Sequence, residues 1–595
     1  MQNLATKNLN ANQLGSFSAG NGSGARPRWP LIVLLLGMLS NAFGGGSPLM
    51  AQSLAAEPAK KAGVLVVCPQ NFRTALQPWI EYRQRQGFDV HVIDSQPTAP
   101  KLRDAIRTAA RDNDRTLLLI GDCPTIGSSA DPNRQVPVAY IPTLVTAKFG
   151  STPTMGTDYP YGDVDNDQRT DLAVGRMPVD TPEQLTAIIG RIKAYESAND
   201  FSTWRGRLQL VGGVGGFGFL ADKTIESVTR MIVTASLPPE VRTSVAYGSP
   251  GHLFYPNERF SQAVINRYGE GCRFWVYAGH GMVDSLDNVP AGPTGAPVLD
   301  NTTIQHLECD PTKAPIAILL CCYTGAIDAR IDSFAERLYL HDCGPIAVIA
   351  GSRVTMPYGN TSLTLGLVES IFGTQHRIQK GGQESAESTP QPIPGPQTPV
   401  APEADFKPSP VPLPAATRLG QAWLHAINQL EEVDDPEKTQ LQVMVDAIAT
   451  LVSPSGSKLQ EERREHAALY SLLGDPLLKL QPPAKIDVQC GSGVDFGETV
   501  KVTVQCPIDG QCVVTLDKPL GHSPKSKPGQ PYIDPNQLTF AKVEKTIQGG
   551  EKVDFEIPVS GQHEGYITIR VHVTGKDAWA TGSSVTNLRP PAKGN

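Results

Sequence analysis

The sequence predicts an α/β protein, with two successive strand–helix subdomains followed by a β-sandwich. Three observations carry this reading. From Gly63 onward, apolar strand runs alternate with amphipathic helices, the grammar of a parallel sheet. Two later runs, Arg273-Phe-Trp-Val-Tyr-Ala-Gly-His280-Gly281 and Ala314-Pro-Ile-Ala-Ile-Leu-Leu-Cys321-Cys322-Tyr-Thr-Gly325, are nearly unbroken apolar stretches, as in strands buried on both faces. Beyond Ile486 the hydrophobic period becomes two, with turn residues between the runs.

The first subdomain is expected over 62–200. Val64–Cys68 reads as a strand, Phe72–Arg85 as a helix stopped by Gly87, and Phe88–Ile93 as a second strand. Leu102–Arg111 and Thr116–Ile120 repeat the helix–strand unit. Thr181, Pro182 and Gln184 have the spacing of a capping box with proline in the first turn. Leu185, Ile188, Ile189 and Ile192 form the apolar face that follows.

The second subdomain is expected over 205–482. It starts with the strand Leu208–Val211 and holds the two long apolar runs and a third strand, Pro345–Ala350. A helix capped by Ser333 and Glu336 lies before that third strand. Residues 376–414, rich in Pro, Gln, Glu and Ser, read as an extended insertion. Helical spacing returns at Ala415, with Leu419, Trp423, Ala426, Ile427 and Leu430 on one face, and a further helix is expected over Glu461–Leu473. The β-module, 485–590, alternates through Val500–Val504, Val513–Leu516, Val553–Ile557 and Tyr566–Val571.

A chain of 595 residues is too long for one core. Its net charge of −7 carries no concentrated basic patch, which argues against nucleic acid as a partner. Arg26 and Arg28 precede the apolar run Leu31–Leu39 and a stretch of small residues. Residues 1–56 therefore read as a signal peptide and leader, with an uncleaved anchor as the rival, and the protein as exported. No later segment has the length of a membrane span. The ten cysteines contain no CxxC pair. A bridge among Cys490, Cys506 and Cys512 would suit an exported protein, and Cys68 reads as a small buried hydrophobe.

The chemistry lies at two strand ends. A thiol attacks as thiolate, and an imidazole generates or stabilises that form. His280 sits between two glycines and Cys322 opens a strand-end turn. The 42-residue separation suits a crossover between neighbouring parallel strands. The amides of Gly281 and Cys322 are then candidate donors to an oxyanion. Such a dyad requires no cofactor.

These features resemble the gingipain family of cysteine peptidases, in the clan that includes caspases and legumains. The resemblance rests on Gly279-His280-Gly281 and Cys322-Tyr-Thr-Gly325. It is supported by Asp171-Leu-Ala-Val-Gly-Arg176-Met-Pro-Val, Gly344–Arg353 and Ser471-Leu-Leu-Gly474-Asp475-Pro476. It covers roughly 62–482 and implies a caspase-like sheet sandwiched by helices, with an immunoglobulin-like module behind it. It also implies Cys322 as nucleophile, His280 as general acid/base, Gly281 as an oxyanion donor, and proteins or peptides as substrates. Cys321 takes the place of a small residue and reads as a buried neighbour. Where family members carry an acidic residue before Gly-Gly, this chain has Val214-Gly215-Gly216, so a dyad is expected; Asp284 is a weak substitute.

Asp163, Asp165, Asp167 and Asp171 alternate like the carboxylates of a calcium loop. Gln168 and Val174 stand where an EF-hand needs glycine and glutamate, so a structural calcium site and a plain acidic turn both remain open. The run Gly213–Gly218 has dinucleotide-loop spacing but no acidic partner about 20 residues on. Two rival functions stand beside the peptidase: a binding or assembly protein that keeps the scaffold and contacts a cell surface or partner through the β-module, and a peptide ligase using the same dyad.

Overall fold

The computed structural model describes residues 61–215, 236–256, 258–290, 295–373, 414–432, 440–522, 532–559 and 563–590. The expected leader, the Pro-rich insertion up to residue 413, and Gly216–Gly218 lie outside them. Among the described residues no helix is long and apolar enough to cross a membrane.

One ten-stranded sheet organises the described residues between Gly63 and Leu473. Strands β1 (Gly63–Val67), β2 (Asp89–Ile93) and β3 (Asp114–Ile120) come first. A small hairpin follows, β4 (Ala139–Pro142) and β5 (Thr154–Thr157), then β6 (Ala173–Met177). Strands β7 (Arg207–Gly212), β8 (Arg242–Tyr247) and β9 (Phe274–Ala278) continue the sheet. After the short pair β10 (Asn288–Val289) and β11 (Ala296–Pro297) come β12 (Ile316–Leu320), β13 (Ala347–Gly351) and β14 (Tyr470–Leu473). Across the sheet the order is β2-β1-β3-β6-β14-β13-β12-β9-β7-β8. Neighbours are parallel except β13 and β14. All five residues of β1, β6 and β13 are buried, as the apolar runs of β1 and β13 require; in β6 the buried Arg176 is paired with Asp158.

The helix expected over Glu461–Leu473 is corrected. Helix Leu459–Leu469 stops at Tyr470, and the last four residues are β14. Tyr470, Ser471, Leu472 and Leu473 are all buried, and burial on both faces is satisfied by a central strand and not by a one-sided helix. β14 pairs antiparallel with β13 and meets β6 where Leu473 lies opposite Arg176, so it stitches the two strand–helix halves into one sheet. The Gly474-Asp475-Pro476 turn after it anchors a buried ionic cluster. Asp475 accepts from Trp79 Nε1 at 2.5 Å and from Arg83 at 2.7 Å, and Arg83 also donates to Glu196 at 2.9 Å.

Both expected capping boxes form. The Thr181 side chain accepts from the Gln184 amide and the Ser333 side chain from the Glu336 amide, each with the reciprocal bond. The helices they start, Pro182–Ser197 and Phe334–Leu340, pack on the sheet.

The C-terminal module is built from two sheets around one core. Its strands are β15 (Ala484–Lys485), β16 (Asp487–Cys490), β17 (Gly493–Asp495), β18 (Thr499–Gln505) and β19 (Gly510–Asp517). They continue with β20 (Thr539–Ile547), β21 (Lys552–Pro558), β22 (Gly565–Thr574) and β23 (Trp579–Arg589). β16-β18-β21 form one sheet and the remaining six strands the other. Val500, Val502 and Phe555 of the first meet Val514, Ile569 and Val571 of the second. Cys490, Cys506 and Cys512 are free thiols.

The module docks on the α/β body by polar contacts at the edge strand. Asn536 accepts from the Val245 amide and donates to the Val245 carbonyl, which occupies the open edge of β8. Asp517 receives Arg242 at 3.1 Å and Arg570 at 2.6 Å.

Candidate active site

The register of β9 against β12 fixes the site. Ala278 pairs with Leu320, so His280 and Cys322 each stand two residues past a matched pair on adjacent parallel strands. The contact is direct at the backbone. A Cβ at Gly281 would come within 2.7 Å of the Cys322 carbonyl oxygen and 2.9 Å of Cys321 Sγ. Glycine is therefore required there by close approach.

Pleating sends the adjacent thiols to different places. Cys321 is fully buried beside the Thr324 hydroxyl at 3.3 Å, and burial pushes its thiol well up. Cys322 is half-buried in the turn. Tyr323 then adopts φ 58°, a left-handed conformation that a tyrosine holds only when its surroundings impose it. Its amide donates to the Arg353 carbonyl and that of Gly325 to Gly351. Arg353 is clamped by Asp328 at 2.6 and 2.9 Å.

The sulfur of Cys322 has partners of its own. The Thr355 amide donates to Sγ at 3.4 Å, and the Thr355 carbonyl lies 3.8 Å from it. Thr355 is positioned in turn by Asn360, whose amide donates to its hydroxyl at 3.2 Å and whose oxygen accepts from Tyr470 at 2.8 Å.

His280 is held from two sides. Its Nε2 lies 3.1 Å from the carbonyl oxygen of Gly215, and its own carbonyl accepts from the Tyr277 hydroxyl at 2.8 Å. The sequence reading had no role for Asp287, yet its carboxylate accepts from the Val214 amide at 2.9 Å and its amide donates to Tyr277 at 3.1 Å. Asp287 thus braces both the strand end that presents Gly215 and the tyrosine that holds His280. Asp284 is exposed and accepts from the neighbouring Ser285 hydroxyl. The only available signal for Asp287 was its place a few residues after His280.

The acidic loop brings three of its four aspartates together. Ligand atoms of Asp163, Asp165 and Asp171 lie within 4.8 Å of one another; Asp167 is outside the group and accepts from the Arg169 amide. Left-handed residues Asn166 and Gln168 fold the loop inward. Its oxygens already accept from backbone amides, and Asp163 also from Arg103 at 2.8 Å. The donor set is hard oxygen, which suits calcium.

His280 and Cys322 thus follow neighbouring strand ends of one α/β sheet. Residues 57–481 match peptidase family C25, and the chain belongs to that family. It is 23% identical over 337 residues to Lys-gingipain of Porphyromonas gingivalis, a match covering 55% of this chain and 18% of that one. Lys-gingipain W83 of the same organism is 28% identical over 338 residues, 55% and 17% of the two chains. The chain thus spans less than a fifth of these relatives. Among solved structures, the Arg-specific cysteine proteinase gingipain R aligns with a TM-score of 0.46 at 15% identity, covering 90% of this chain and 99% of that one. The complex of Porphyromonas gingivalis RgpB pro- and mature domains gives 0.45 at 15% identity, covering 88% and 100%.

Proposed function

We propose that the chain is an exported cysteine endopeptidase acting through Cys322 and His280. The observation that supports this reading is the Ala278–Leu320 pairing together with the close backbone approach of Gly281 to Cys322, which brings the two chain segments that carry His280 and Cys322 to one sheet edge. The Cys322 thiolate attacks the peptide carbonyl. The amides of Gly281 and Cys322 receive the negative charge on its oxygen, and the bond to nitrogen breaks as His280 protonates the leaving amine. His280 then takes a proton from water, which adds to the thioester and releases the acid. Exposed apolar side chains, Met282 beside the histidine turn and Leu144 and Phe149 on the loop whose Gly150 carbonyl meets Tyr323, offer a rim for substrate side chains.

Export rests on the sequence of residues 1–56, and the immunoglobulin-like character of the module on its alternating strands. Calcium at Asp163, Asp165 and Asp171 would be structural. The deciding experiment is incubation of the mature protein, with reductant and calcium, against a mixed-sequence peptide library, read by mass spectrometry. Hydrolysis products lost in Cys322→Ala support the proposal. Ligated products would assign transfer instead, and no turnover under any condition would favour a binding protein.

A further inference from the structure

At the opposite end of β9 from His280, roughly 20 Å along the strand, residues of the α/β body and the β-module line a partly open cavity of about 70 Å³. Three arginines line it: Arg205, Arg207 and Arg273. Arg205 and Arg273 are 3% and 4% exposed. Among the described residues neither makes an ion pair. Arg205 donates to the Asp200 carbonyl at 2.9 Å, while the Asp200 carboxylate is taken by Lys313; Arg273 donates to the Leu480 carbonyl at 2.7 Å. Arg205 Nη2 is buried without a hydrogen-bond partner. Among the described residues one carboxylate lines it, Glu240, which accepts from Ser583 of the module at 3.0 Å.

A buried cation without an ion pair is costly; for Arg205 the nearby Asp200 charge, shared with Lys313, and aromatic faces offset only part of the cost. Arg205 lies 4.7 Å from the Trp204 ring centre, and Arg273 lies 5.2 Å from Phe274 and 5.8 Å from Trp579. Burial lowers Arg273 to about 10, the direction set by desolvation, and its neighbour Arg205 adds repulsion. The remaining wall is apolar, with Phe274, Ile371, Phe372 and Trp579. The site thus combines planar donors with hydrocarbon surface. It has room for about five waters' worth of ligand.

The geometry points to a binding site for a small carboxylate with an apolar body, held by Arg205 and Arg273 and seated between the catalytic body and the β-module. Guanidinium forks match a carboxylate bidentately, and a short branched chain would cover the rings. A dianionic phosphate would have to leave its hydration at an apolar wall.

The test is calorimetric titration of the full chain with isobutyrate, with isobutyramide as neutral isostere and inorganic phosphate as the second anion, alongside thermal denaturation. Saturable isobutyrate binding at millimolar concentration is expected, with a rise in Tm, no binding of the amide, and weaker binding of phosphate. Arg205→Met should weaken binding at least about tenfold, the loss of one charge-assisted pair. Ala415→Leu, which fills the cavity from its edge and leaves every arginine in place, should abolish it, and decides the matter should Arg205→Met fail to fold. Absence of saturable binding, unchanged affinity in Ala415→Leu, or phosphate binding as tightly as isobutyrate would each overturn the assignment.

Discussion

The carbonyl oxygen of Gly215 lies 3.1 Å from His280 Nε2, and Asp287 holds the amide one residue earlier, at Val214, at 2.9 Å. The imidazole is thus oriented by a main-chain carbonyl, which a carboxylate from another loop braces. An acidic residue before Gly-Gly is not needed for that geometry. Asp287→Ala should lower kcat about tenfold with KM little changed, the effect of losing one buried hydrogen bond that positions the base. Asp287→Asn keeps an acceptor for the Val214 amide and should retain most activity. Steady-state kinetics of the pair decides: equal losses in both variants would make the charge, and not the brace, the working feature.

Cys321 and Cys322 adjoin in sequence but differ in surroundings. Burial pushes the Cys321 thiol far up, whereas Cys322 is half-buried with the Thr355 amide on its sulfur. Iodoacetamide should therefore label Cys322 first, read by peptide mass mapping. Cys321→Ala should stay active, and Cys322→Ala should lose at least about a thousandfold in turnover. Labelling of Cys321 ahead of Cys322 would contradict the burial.

The adjacency of the strands that precede His280 and Cys322 was legible because both are unbroken apolar runs, and such runs become neighbouring buried strands. The capping boxes were legible because Thr181 to Gln184 and Ser333 to Glu336 are local in sequence. Asp287 was not. Its partner is a backbone amide 73 residues upstream, and no periodicity encodes a side chain reaching for another strand's main chain. β14 was hidden for a different reason. No turn residue separates Leu469 from Tyr470, so the helical spacing of 459–469 runs on unmarked into residues that only the sheet's two-sided burial turns into a strand.

The acidic loop gives a sharp contrast within four aspartates. Calcium should raise Tm and protect the 163–171 loop from proteolysis, with magnesium less effective because it demands a tighter octahedral shell. Asp165→Asn should remove the effect, since Asp165 is an exposed member of the converging group with the least structural work to lose. Asp167→Asn should leave it intact, because that carboxylate is outside the group. Differential scanning fluorimetry with calcium, magnesium and chelator reads all three; loss of the response in Asp167→Asn would place the ion elsewhere.

Arg83 links Glu196 and Asp475, and all three side chains are fully buried. Replacing it with methionine fills the space but strands two carboxylates, one of them also bound to Trp79. A loss of about 3–5 kcal/mol is expected, the usual cost of removing one partner from a buried ionic group. Urea denaturation followed by tryptophan fluorescence should show the lower midpoint. Because the cluster is remote from the thiol in sequence and in contacts, the folded fraction at low urea should keep its kcat.

The pH dependence of stability should carry the signature of Asp122 and Glu336. The two carboxyls share a hydrogen bond beside the catalytic body; burial raises Asp122 to about 6 and pushes Glu336 well up, with each the other's neighbour. Asp180 adds to the pressure on Asp122, while Arg176 and the Cys123 amide oppose it. The folded state therefore holds a proton that the unfolded chain releases near its ordinary value of 3.8. The group's contribution is complete below that value and is lost as pH rises through about 6. Asp122→Asn keeps the neutral hydrogen-bonding form at every pH. The stability of this variant relative to the native chain should rise between pH 4 and pH 6.5, by on the order of 1–2 kcal/mol. Urea titrations across that window check it, and a flat difference would mean that the pair ionises no differently folded than unfolded.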